Sequence, residues 1–386
     1  MKGDIKVAFA GVHRASSFFK AFQVHPDTEI VALCDLSEAT LADAGKATGI
    51  TKLYTVYEKM LDDAKPDAVV VATPMQFHVP QSIAALQRGI HVLSEVTAAV
   101  SIDEARWLVQ ECKKSNAVYM MAENYIYMKP NVLVRAMVDA GLFGEVYYAE
   151  GEYLHELSVL HHTAEGKPTW RYYWQVGVNG CTYPTHSLGP CLQWIKERPQ
   201  RISCIGTGRW TDPEHAIEDT VLLLCKTASE KLIRIRVDML SKRPHAMTNY
   251  ALQGTKGAYE SARATLHHSP QWTRPGDSEP SLGRDEGNWV WVEGYCKDPN
   301  QWVPLETFEA EFLPEIWRHP PKEALEAGHG GGDYFEVMDF VAAVQSKQAP
   351  PIGIHEAMDM TLPGLVSQES IRCGGEWLEV PDSRNW

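Results

Sequence analysis

Tyr183 and His186 are the side chains whose types and spacing best suit acid–base chemistry. They stand three positions apart in Tyr183-Pro-Thr-His186, at the head of a segment with helical character, Thr185–Trp194. Residues three apart share one face of a helix, so both side chains can face one pocket. A phenol, and an imidazole with an ordinary pKa of about 6.5, can exchange protons with a substrate. The pair predicts a general base and acid; the alternative is that His186 is a satisfied buried histidine.

A second group of candidate residues follows the first two predicted strands. The turn Ala10–Ser16 keeps Gly11 from a G-x-G-x-x-G pattern but has His13 at the middle glycine, with Arg14 and Ala15 behind it. Asp35 ends the second strand, where a carboxylate can accept hydrogen bonds from ribose hydroxyls. An acid at this position favours NAD(H) over NADP(H), although an arginine beside it could hold a phosphate. The alternatives are a simple turn at Gly11 and a helix cap at Asp35.

Further polar residues follow the later strands of the same region. Thr73 and Pro74 end one strand, with His78 after them, and Glu95 and Asn124 end the next two. Ligands of open parallel sheets bind at the carboxyl ends of the strands. Several polar strand ends together therefore predict a dinucleotide site more strongly than the glycine turn does alone.

The hydrophobic pattern predicts the strands and helices that would hold these residues in place. In the first 125 residues, strands at Ile5–Ala10, Glu29–Cys34, Ala68–Ala72, His91–Leu93 and Tyr119–Met121 alternate with helices at 15–24, 37–48, 78–88 and 101–115. This alternation predicts an α/β domain, a Rossmann doubly wound parallel sheet, over residues 1–125.

After residue 125 the pattern changes. A helix at 131–140 precedes a long strand at 146–154, a loop at 155–182 and a run of strands from 201 to 260. A polar stretch over about 265–320 then leads to helices at 334–346 and 355–371. We expect an α+β domain over 126–386 with a large open, mostly antiparallel sheet, whose last helices could pack on the first domain.

Composition limits the classes of partner. The 386 residues are 44% hydrophobic and 22% charged, with a net charge of −14. This charge argues against nucleic acid and anionic membranes as partners, and no segment is apolar enough to span a membrane. Scattered cysteines and the absence of a secretory pattern predict a cytoplasmic protein with reduced thiols. The open sheet makes a homo-oligomer, a dimer or tetramer, plausible.

A histidine-rich run and a basic cluster could each form a further binding site. His155, His161, His162 and Glu165 could suggest a metal site, but they lie in a predicted loop, so no metal is predicted. Lys196, Arg198 and Arg201 could serve an anionic sugar, with surface solvation favoured.

The sequence resembles the Gfo/Idh/MocA superfamily of glucose–fructose oxidoreductase and inositol dehydrogenase. Within it, the chain is most similar to the NAD-dependent glycoside hydrolases typified by α-N-acetylgalactosaminidase. The matching segments, in order, are Ser94–Val96, Met120–Tyr125, Ala149–His155, Trp170-Arg171, Tyr183–Pro190 and Gly328–Gly331. That branch carries Glu-Val where sugar dehydrogenases carry Glu-Lys, and here the pair is Glu95-Val96. One departure is Thr97, where proline is usual.

The resemblance implies roles for particular residues. NAD would be held by Arg14, Asp35, Met75, Gln76, His78, Glu95, Val96 and Asn124. The sugar would contact Tyr153, Arg171, Tyr183, Pro184, Thr185 and His186. Trp170, in an aromatic run, could stack on the sugar or pack between the domains. His329 could reach the substrate as well, while Asp333 could only cap the last long helix. A late substrate tyrosine of the branch is sought near Arg243-Pro244-His245, with Tyr250 nearby.

The implied reaction is a net glycoside hydrolysis with retained configuration. Sugar C3 is oxidised transiently, the C2 proton becomes acidic, the aglycone is eliminated, water adds and C3 is reduced again. Because Val96 cannot transfer a proton, we assign general base and acid to Tyr183 and His186. Two alternatives remain: an NAD-dependent sugar or polyol dehydrogenase, and a catalytically inactive sugar- or nucleotide-binding protein.

Overall fold

A computed structural model describes residues 5–240, 242–243, 246–262 and 287–386. The chain forms two compact units. The first comprises residues up to Tyr127 together with 320–361 and 382–386, and the second comprises 128–319 and 362–381. The ranges 1–125 and 126–386 for the domains stay a prediction.

The strands and helices of the described residues are numbered in chain order. The strands are β1 (Ile5–Ala10), β2 (Thr28–Cys34), β3 (Leu53–Tyr54), β4 (Ala68–Val71), β5 (His91–Glu95), β6 (Tyr119–Ala122), β7 (Val146–Leu154), β8 (Arg201–Gly206), β9 (Val221–Lys226), β10 (Leu232–Asp238), β11 (Ala246–Gly254), β12 (Gly257–Glu260), β13 (Trp289–Val292), β14 (Val303–Pro304) and β15 (Leu378–Glu379). The helices are α1 (Val12–Val24), α2 (Glu38–Thr48), α3 (Tyr57–Ala64), α4 (His78–Leu86), α5 (Ile102–Lys114), α6 (Lys129–Asp139), α7 (Trp170–Trp174), α8 (Thr185–Ile195), α9 (Glu309–Phe312), α10 (Glu315–Arg318), α11 (Lys322–Leu325), α12 (Gly332–Ser346) and α13 (Ile354–Arg372).

The first unit contains a six-stranded parallel sheet in the order β3-β2-β1-β4-β5-β6. Strands β4 and β6 are buried along their whole length, because helices cover both faces of such sheets. This order is that of a dinucleotide-binding fold, so the predicted Rossmann domain is confirmed. The pattern analysis missed β3 and α3. Strand β3 has only two residues, and α3 buries only Tyr57, Met60 and Leu61, so neither gives a long hydrophobic period.

The late segment 320–361 packs on this sheet domain. Phe340 of α12 contacts Phe22 of α1, with ring centroids 6.4 Å apart in an edge-to-face arrangement. The N–H of Met121 in β6 donates to the carbonyl of Ile352 at 3.0 Å. These apolar and backbone contacts explain why residues distant in sequence join the first unit.

The second unit contains a nine-stranded sheet in the order β14-β13-β12-β11-β7-β10-β9-β8-β15, counted over the described residues. Of its pairs, only β7–β10 is parallel, so the predicted open, mostly antiparallel sheet is confirmed. Strands β9 and β10 alternate buried and half-buried residues, which gives the sheet one packed face and one more open face.

Two predicted segments differ from what the structure describes. The loop expected at 155–182 contains the short helix α7. The polar stretch expected at about 265–320 contains β13, β14 and α9 and α10, while residues 263–286 lie outside the described part of the chain. In the described residues, no helix has the length and apolarity needed to cross a membrane.

Candidate active site

Gly11 shapes the first strand–helix turn. Its φ of 79° is left-handed, and a Cβ added there would overlap the carbonyl oxygen of Ala72 at the end of β4. Only glycine fits this conformation and this close approach. His13 is exposed beyond the turn, and Ala15 is buried in α1. The close backbone approach that a dinucleotide turn needs is therefore kept although the later glycines are absent.

Asp35 is half-buried and accepts two backbone hydrogen bonds. The N–H of Val12 donates to its Oδ2 and the N–H of Ser37 to its Oδ1, each at 3.0 Å. Ser37, whose side chain accepts from the N–H of Thr40, is the N-cap of α2, so the alternative that Asp35 caps this helix is wrong. The Asp35 carboxylate is held beside the glycine turn, where an acceptor for ribose hydroxyls is required.

Arg14 is bound to two carboxylates of its own unit. Its Nη2 lies 2.6 Å from Oε1 of Glu95, and its Nη1 lies 3.5 Å from Oδ2 of Asp333. The guanidinium also covers the ring of Phe18, 5.0 Å from the centroid. Arg14 is thus held at the end of β5 by ion pairs, which weakens the idea that it binds a ribose phosphate.

Asp333 joins Asn124 and His329 in a buried network. Nδ2 of Asn124 donates to Oδ1 of Asp333 at 2.8 Å, and Nδ1 of His329 lies 2.9 Å from the same oxygen. Burial alone raises the pKa of Asp333, but the charges of His329 and Arg14 outweigh it and hold this pKa well below the ordinary range.

One expectation for this segment needs correction, and the other, the sugar contact of His329, stays a prediction. Gly331 is the N-cap residue of α12, so Asp333 does not cap the helix. His329, expected near the sugar, is in the first unit and lies 3.0 Å from Nδ2 of Asn124, a predicted cofactor residue. Sequence reasoning missed this network because Asn124 is more than 200 positions from His329 and Asp333.

Glu336 is a further buried acid, and no pattern in the sequence indicates it. It lies one turn after Asp333 in α12, is fully buried, and neither of its carboxyl oxygens has a hydrogen-bond partner among the described residues. Burial raises its pKa well above the ordinary value, and the negative charges of Asp333 and Glu95 raise it further. The Glu336 carboxyl therefore keeps its proton to a higher pH than an exposed glutamate does.

The segment from Thr73 to His78 follows β4. The hydroxyl of Thr73 donates to Oε1 of Gln81 at 2.6 Å, Pro74 and Gln76 are half-buried, and Met75 is buried. The ring nitrogens of His78 lie 2.8 Å from the carbonyl of Thr73 and 2.9 Å from that of Thr97. Both ring nitrogens face backbone carbonyls, so His78 links the chain after β4 to the chain after β5, and its contact with a cofactor stays a prediction.

Val96 directly follows Glu95, the last residue of β5. Its side chain is 4% exposed, its N–H lies 3.2 Å from Oε2 of Glu95, and the Val96–Thr97 peptide bond is cis. Nothing at this position can donate or accept a proton through its side chain.

The strand ends of the first unit fit a dinucleotide. Gly11 provides a close backbone approach, Asp35 a carboxylate, and α1 a helix N-terminus beside them. Oε1 of Gln76 and Oδ1 of Asn124 are buried acceptors with no hydrogen-bond partner among the described residues. Hydroxyl and amide donors of NAD are groups that such acceptors could bind.

In the second unit, three aromatic side chains meet beside strand β7. The ring of Tyr153 lies 5.8 Å from that of Tyr183 and 5.5 Å from that of His186, and the last two are 5.2 Å apart. Tyr153 and His186 are buried, while Tyr183 is half-buried. The structure thus brings together the predicted base and acid with a predicted sugar-binding tyrosine.

Gly151 allows this meeting. It faces the first turn of α8, and a Cβ there would lie 2.5 Å from the carbonyl oxygen of Ser187. Gly364 of α13 plays a similar part for the preceding turn, where a Cβ would lie 2.8 Å from Cγ of Pro184. Two glycines therefore fix the position of the Tyr183–His186 segment.

Two residues of this cluster were not selected for it from the sequence. Nδ1 of His155 lies 2.7 Å from the hydroxyl of Tyr153, a pairing that i, i+2 spacing on a strand could have suggested. The buried hydroxyl of Tyr250 donates to the carbonyl of His186 at 2.6 Å and supports the helix start. Arg243 is exposed, and Pro244 and His245 lie outside the described residues.

The remaining predicted sugar contacts are arranged as follows. The guanidinium of Arg171 stacks on the half-buried ring of Trp170, 4.4 Å from its centroid, and donates to Oε1 of Gln175 at 2.8 Å. Pro184 is the N-cap residue of α8. Thr185 is fully buried, and its hydroxyl has no hydrogen-bond partner among the described residues.

The other interpretations find no support in the second unit. Within the described part of the chain, no three His, Cys, Asp or Glu side chains are grouped to hold a metal ion. Nζ of Lys196 lies 2.6 Å from Asp139, and Nη2 of Arg201 lies 3.1 Å from Glu230. Carboxylates of the protein thus balance the charges of Lys196 and Arg201, and the guanidinium of Arg198 donates to the backbone carbonyl of Pro199 at 3.0 Å.

Sequence families match almost the whole chain. Residues 5–123 match the oxidoreductase family with an NAD-binding Rossmann fold, and residues 132–260 match the GFO/IDH/MocA C-terminal domain. The chain therefore belongs to the Gfo/Idh/MocA oxidoreductase superfamily, and NAD is its cofactor. Residues 209–385 match the C-terminal domain of glycosyl hydrolase 109, which relates the chain to that branch.

Individual relatives agree with this placement. An α-N-acetylgalactosaminidase of Tannerella forsythia is 27% identical over 92% of this chain and 80% of its own length. A glycosyl hydrolase family 109 protein of Stenotrophomonas maltophilia is 27% identical over 92% of this chain and 84% of its own.

Solved structures share the fold. Levoglucosan dehydrogenase in complex with NADH and levoglucosan superposes with a TM-score of 0.79 at 18% identity, covering 98% of this chain and 99% of that one. The WlbA dehydrogenase of Bordetella pertussis, in complex with NADH and UDP-GlcNAcA, gives 0.75 at 17% identity, covering 99% of each chain.

Proposed function

We propose that this protein is an NAD-dependent glycosidase that acts through transient oxidation at C3 of a sugar. The cluster of Tyr153, Tyr183 and His186 carries the proposal, because it gathers proton-transferring groups in the second unit of an NAD-binding chain. Val96 supplies no such group to the first unit. The relatives named as family 109 glycosyl hydrolases support hydrolysis as the net reaction.

Each residue has a defined part in this proposal. NAD, when bound, accepts a hydride from C3 and later returns it. Asp35 and Asn124 would hold the cofactor, and Trp170 and Arg171 would contact the sugar. Tyr183 and His186 are the general base and acid.

The proton steps balance over one turnover. The Tyr183–His186 pair removes the proton of the C3 hydroxyl as the ketone forms, which makes the hydrogen on C2 acidic. A base removes the C2 proton, the C1–O bond breaks, and an acid protonates the departing aglycone oxygen. Water then adds at C1, C2 regains a proton, and C3 regains its hydrogen. The products are the free sugar and the aglycone alcohol.

One assay tests the proposal against its alternatives. The protein is incubated with a panel of p-nitrophenyl glycosides, with and without NAD, while nitrophenol and absorbance at 340 nm are followed. Nitrophenol release without net NADH is the expected result. NADH accumulating with free sugars would instead identify a sugar dehydrogenase, and silence in both channels with NAD bound would favour a binding protein.

We also propose that the chain assembles as a homo-oligomer. Leu222, Leu224 and Leu232 are half-buried on the more open face of the second sheet, and a second copy of the chain could cover them. Light scattering of the purified protein should give the mass of a dimer or tetramer, and a monomer at micromolar concentration would contradict this.

The proposed compartment is the cytoplasm. All eight cysteines are free thiols, and burial raises the pKa of Cys34 to about 12 and that of Cys204 to about 12. Unpaired, unreactive thiols suit a reducing compartment. Fractionation of the producing cell should recover the protein there.

A further inference from the structure

Tyr153 and His155 form a closely coupled pair of side chains in the second unit. The hydroxyl of Tyr153 and Nδ1 of His155 are 2.7 Å apart, the usual length of a strong hydrogen bond. Their rings meet edge to face at 5.3 Å. Both residues are buried, with exposed fractions of 5% and 2%. A hydrogen bond between two such groups is stronger than the same bond in water.

Backbone hydrogen bonds of the sheet hold Tyr153 and His155 in place without a ligand. Residues 151, 153 and 155 alternate with their neighbours along β7 and its continuation, so they face the same side of the sheet. The N–H of His155 donates to the carbonyl of Asp238 at 2.8 Å, which extends the ladder between β7 and β10 past Leu154. The imidazole is therefore carried by sheet backbone, not by a mobile loop.

The same side of the sheet bears the proposed acid–base residues. Gly151 lets α8 approach β7, and the ring of Tyr153 contacts both Tyr183 and His186. Glycoside hydrolysis by the proposed route requires protons to move at the C3 oxygen, at C2 and at the leaving oxygen. Tyr183 and His186 alone would have to transfer protons at all three atoms. Tyr153 is the other side chain of the cluster that carries an exchangeable proton.

We infer that His155 is a positioning residue that holds and takes the phenolic proton of Tyr153, so that Tyr153 acts as a third acid–base group toward the sugar. This inference rests on the proposed function. The Tyr153 O–H donates its proton to Nδ1 of His155, which leaves a phenolate and an imidazolium. The phenolate oxygen then takes one proton from the sugar, and the two protons return in reverse order. No electrons are exchanged in this step, and its charges balance.

Several ionisable groups surround Tyr153 and His155 and influence their titration. Tyr183 and His186 face it from the α8 segment, Asp238 lies at the end of β10, and Glu156 follows His155 in the chain. Both oxygens of Asp238 already accept, one from the N–H of Leu240 and the other from the hydroxyl of Thr220.

The first test needs no substrate. Tyr153 is replaced by 3-fluorotyrosine, and the fluorine resonance is followed against pH in the NAD-loaded protein, in His155→Gln and in His161→Gln. Glutamine can accept a hydrogen bond but cannot take the proton. His161 is equally buried and has its ring against His215, so it is the matched control. The titration midpoint should move in His155→Gln and stay in His161→Gln.

The second test uses the glycoside that gives the highest nitrophenol release. His155→Gln should lower kcat about 100-fold, a usual contribution of one proton-transfer group, with KM within about threefold and an altered pH profile. Thermal unfolding and NAD binding report whether the variant is folded, and His155→Asn replaces it if it is not. An unchanged fluorine midpoint, or an unchanged kcat and pH profile, would overturn the inference. If the fluorine midpoint moves while the wild-type protein hydrolyses no glycoside, the proposed function fails and the coupling of Tyr153 to His155 stands.

Discussion

Replacing Gly151 by alanine tests whether the close approach of α8 to β7 builds the acid–base cluster. The new Cβ would lie 2.5 Å from the carbonyl oxygen of Ser187 and 3.1 Å from its carbonyl carbon. Ordinary contact begins at 3.4 Å, so the helix start must move by about 0.9 Å, because a backbone atom cannot rotate away. His186 precedes Ser187 and must move with it.

The size of the effect follows from this displacement. Overpacking by one methyl group costs about 1–3 kcal/mol of unfolding free energy. At about 2–4 °C per kcal/mol for a unit of this size, Tm should fall by about 2–12 °C. A misplacement of about 1 Å in a catalytic group can lower the rate about 100-fold, so kcat should fall far more than the loss of folded protein explains.

The matched control is Gly141→Ala in the same unit. Gly141 has a φ of 78° and no atom within 4 Å of an added Cβ, so the change costs about 1–2 kcal/mol through backbone strain alone. Tm is measured by circular dichroism and kcat by nitrophenol release. A Gly151→Ala variant with the kcat of Gly141→Ala would refute the packing explanation of the site, and one with unchanged Tm would refute the predicted clash.

Three other predictions use single substitutions. His186→Ala should lower kcat more than about 100-fold and leave NAD binding intact; activity within about threefold, about 0.7 kcal/mol of barrier, would exclude His186 as a proton-transfer group. Asp35→Ala should weaken NAD binding about 10- to 100-fold, since a hydrogen bond to a charged acceptor contributes about 1.5–3 kcal/mol, and calorimetry with NAD and NADP measures both affinity and preference. Glu336→Gln should stabilise the protein increasingly as pH rises. Burial raises the pKa of Glu336, so the folded state keeps a proton that the unfolded chain releases above about pH 4.5, and wild-type stability falls by about 1.4 kcal/mol per pH unit until the folded-state pKa is reached. Denaturant unfolding at pH 5, 6 and 7 measures this gap, and a constant gap would contradict it.

Much of the first unit could be predicted because its signals are local. Each central strand is a short apolar run, and each polar strand-end residue stands beside it in the sequence. The Arg14–Glu95–Asp333 ion pairs could not be predicted in this way. They join the first turn, the end of β5 and the start of α12, and one sequence contains no signal that brings three such distant segments together.

In the second unit, by contrast, the sequence contained a local signal, the spacing of Tyr153 and His155, that was not used for prediction. Tyr153 lies near the end of the correctly predicted strand β7, and His155 directly follows its last residue, so one further extended residue places both side chains on the same face. Interpreting His155 together with His161 and His162 as a weak metal cluster hid that relation. The contact between His161 and His215 depended on a loop path that the residue pattern does not determine.

The distribution of ionisable groups over the two units bears on how the enzyme divides its work. Near the strand ends of the first unit, Arg14 is paired with Glu95 and Asp333, and both ring nitrogens of His78 face backbone carbonyls. Groups fixed in this way can hold a cofactor, but they have little freedom to exchange protons. The phenol and imidazole groups of the proposed acid–base cluster, Tyr153, Tyr183 and His186, are collected beside β7. Substitutions in the first unit should therefore act mainly on NAD affinity, and substitutions around Tyr153 should act mainly on turnover.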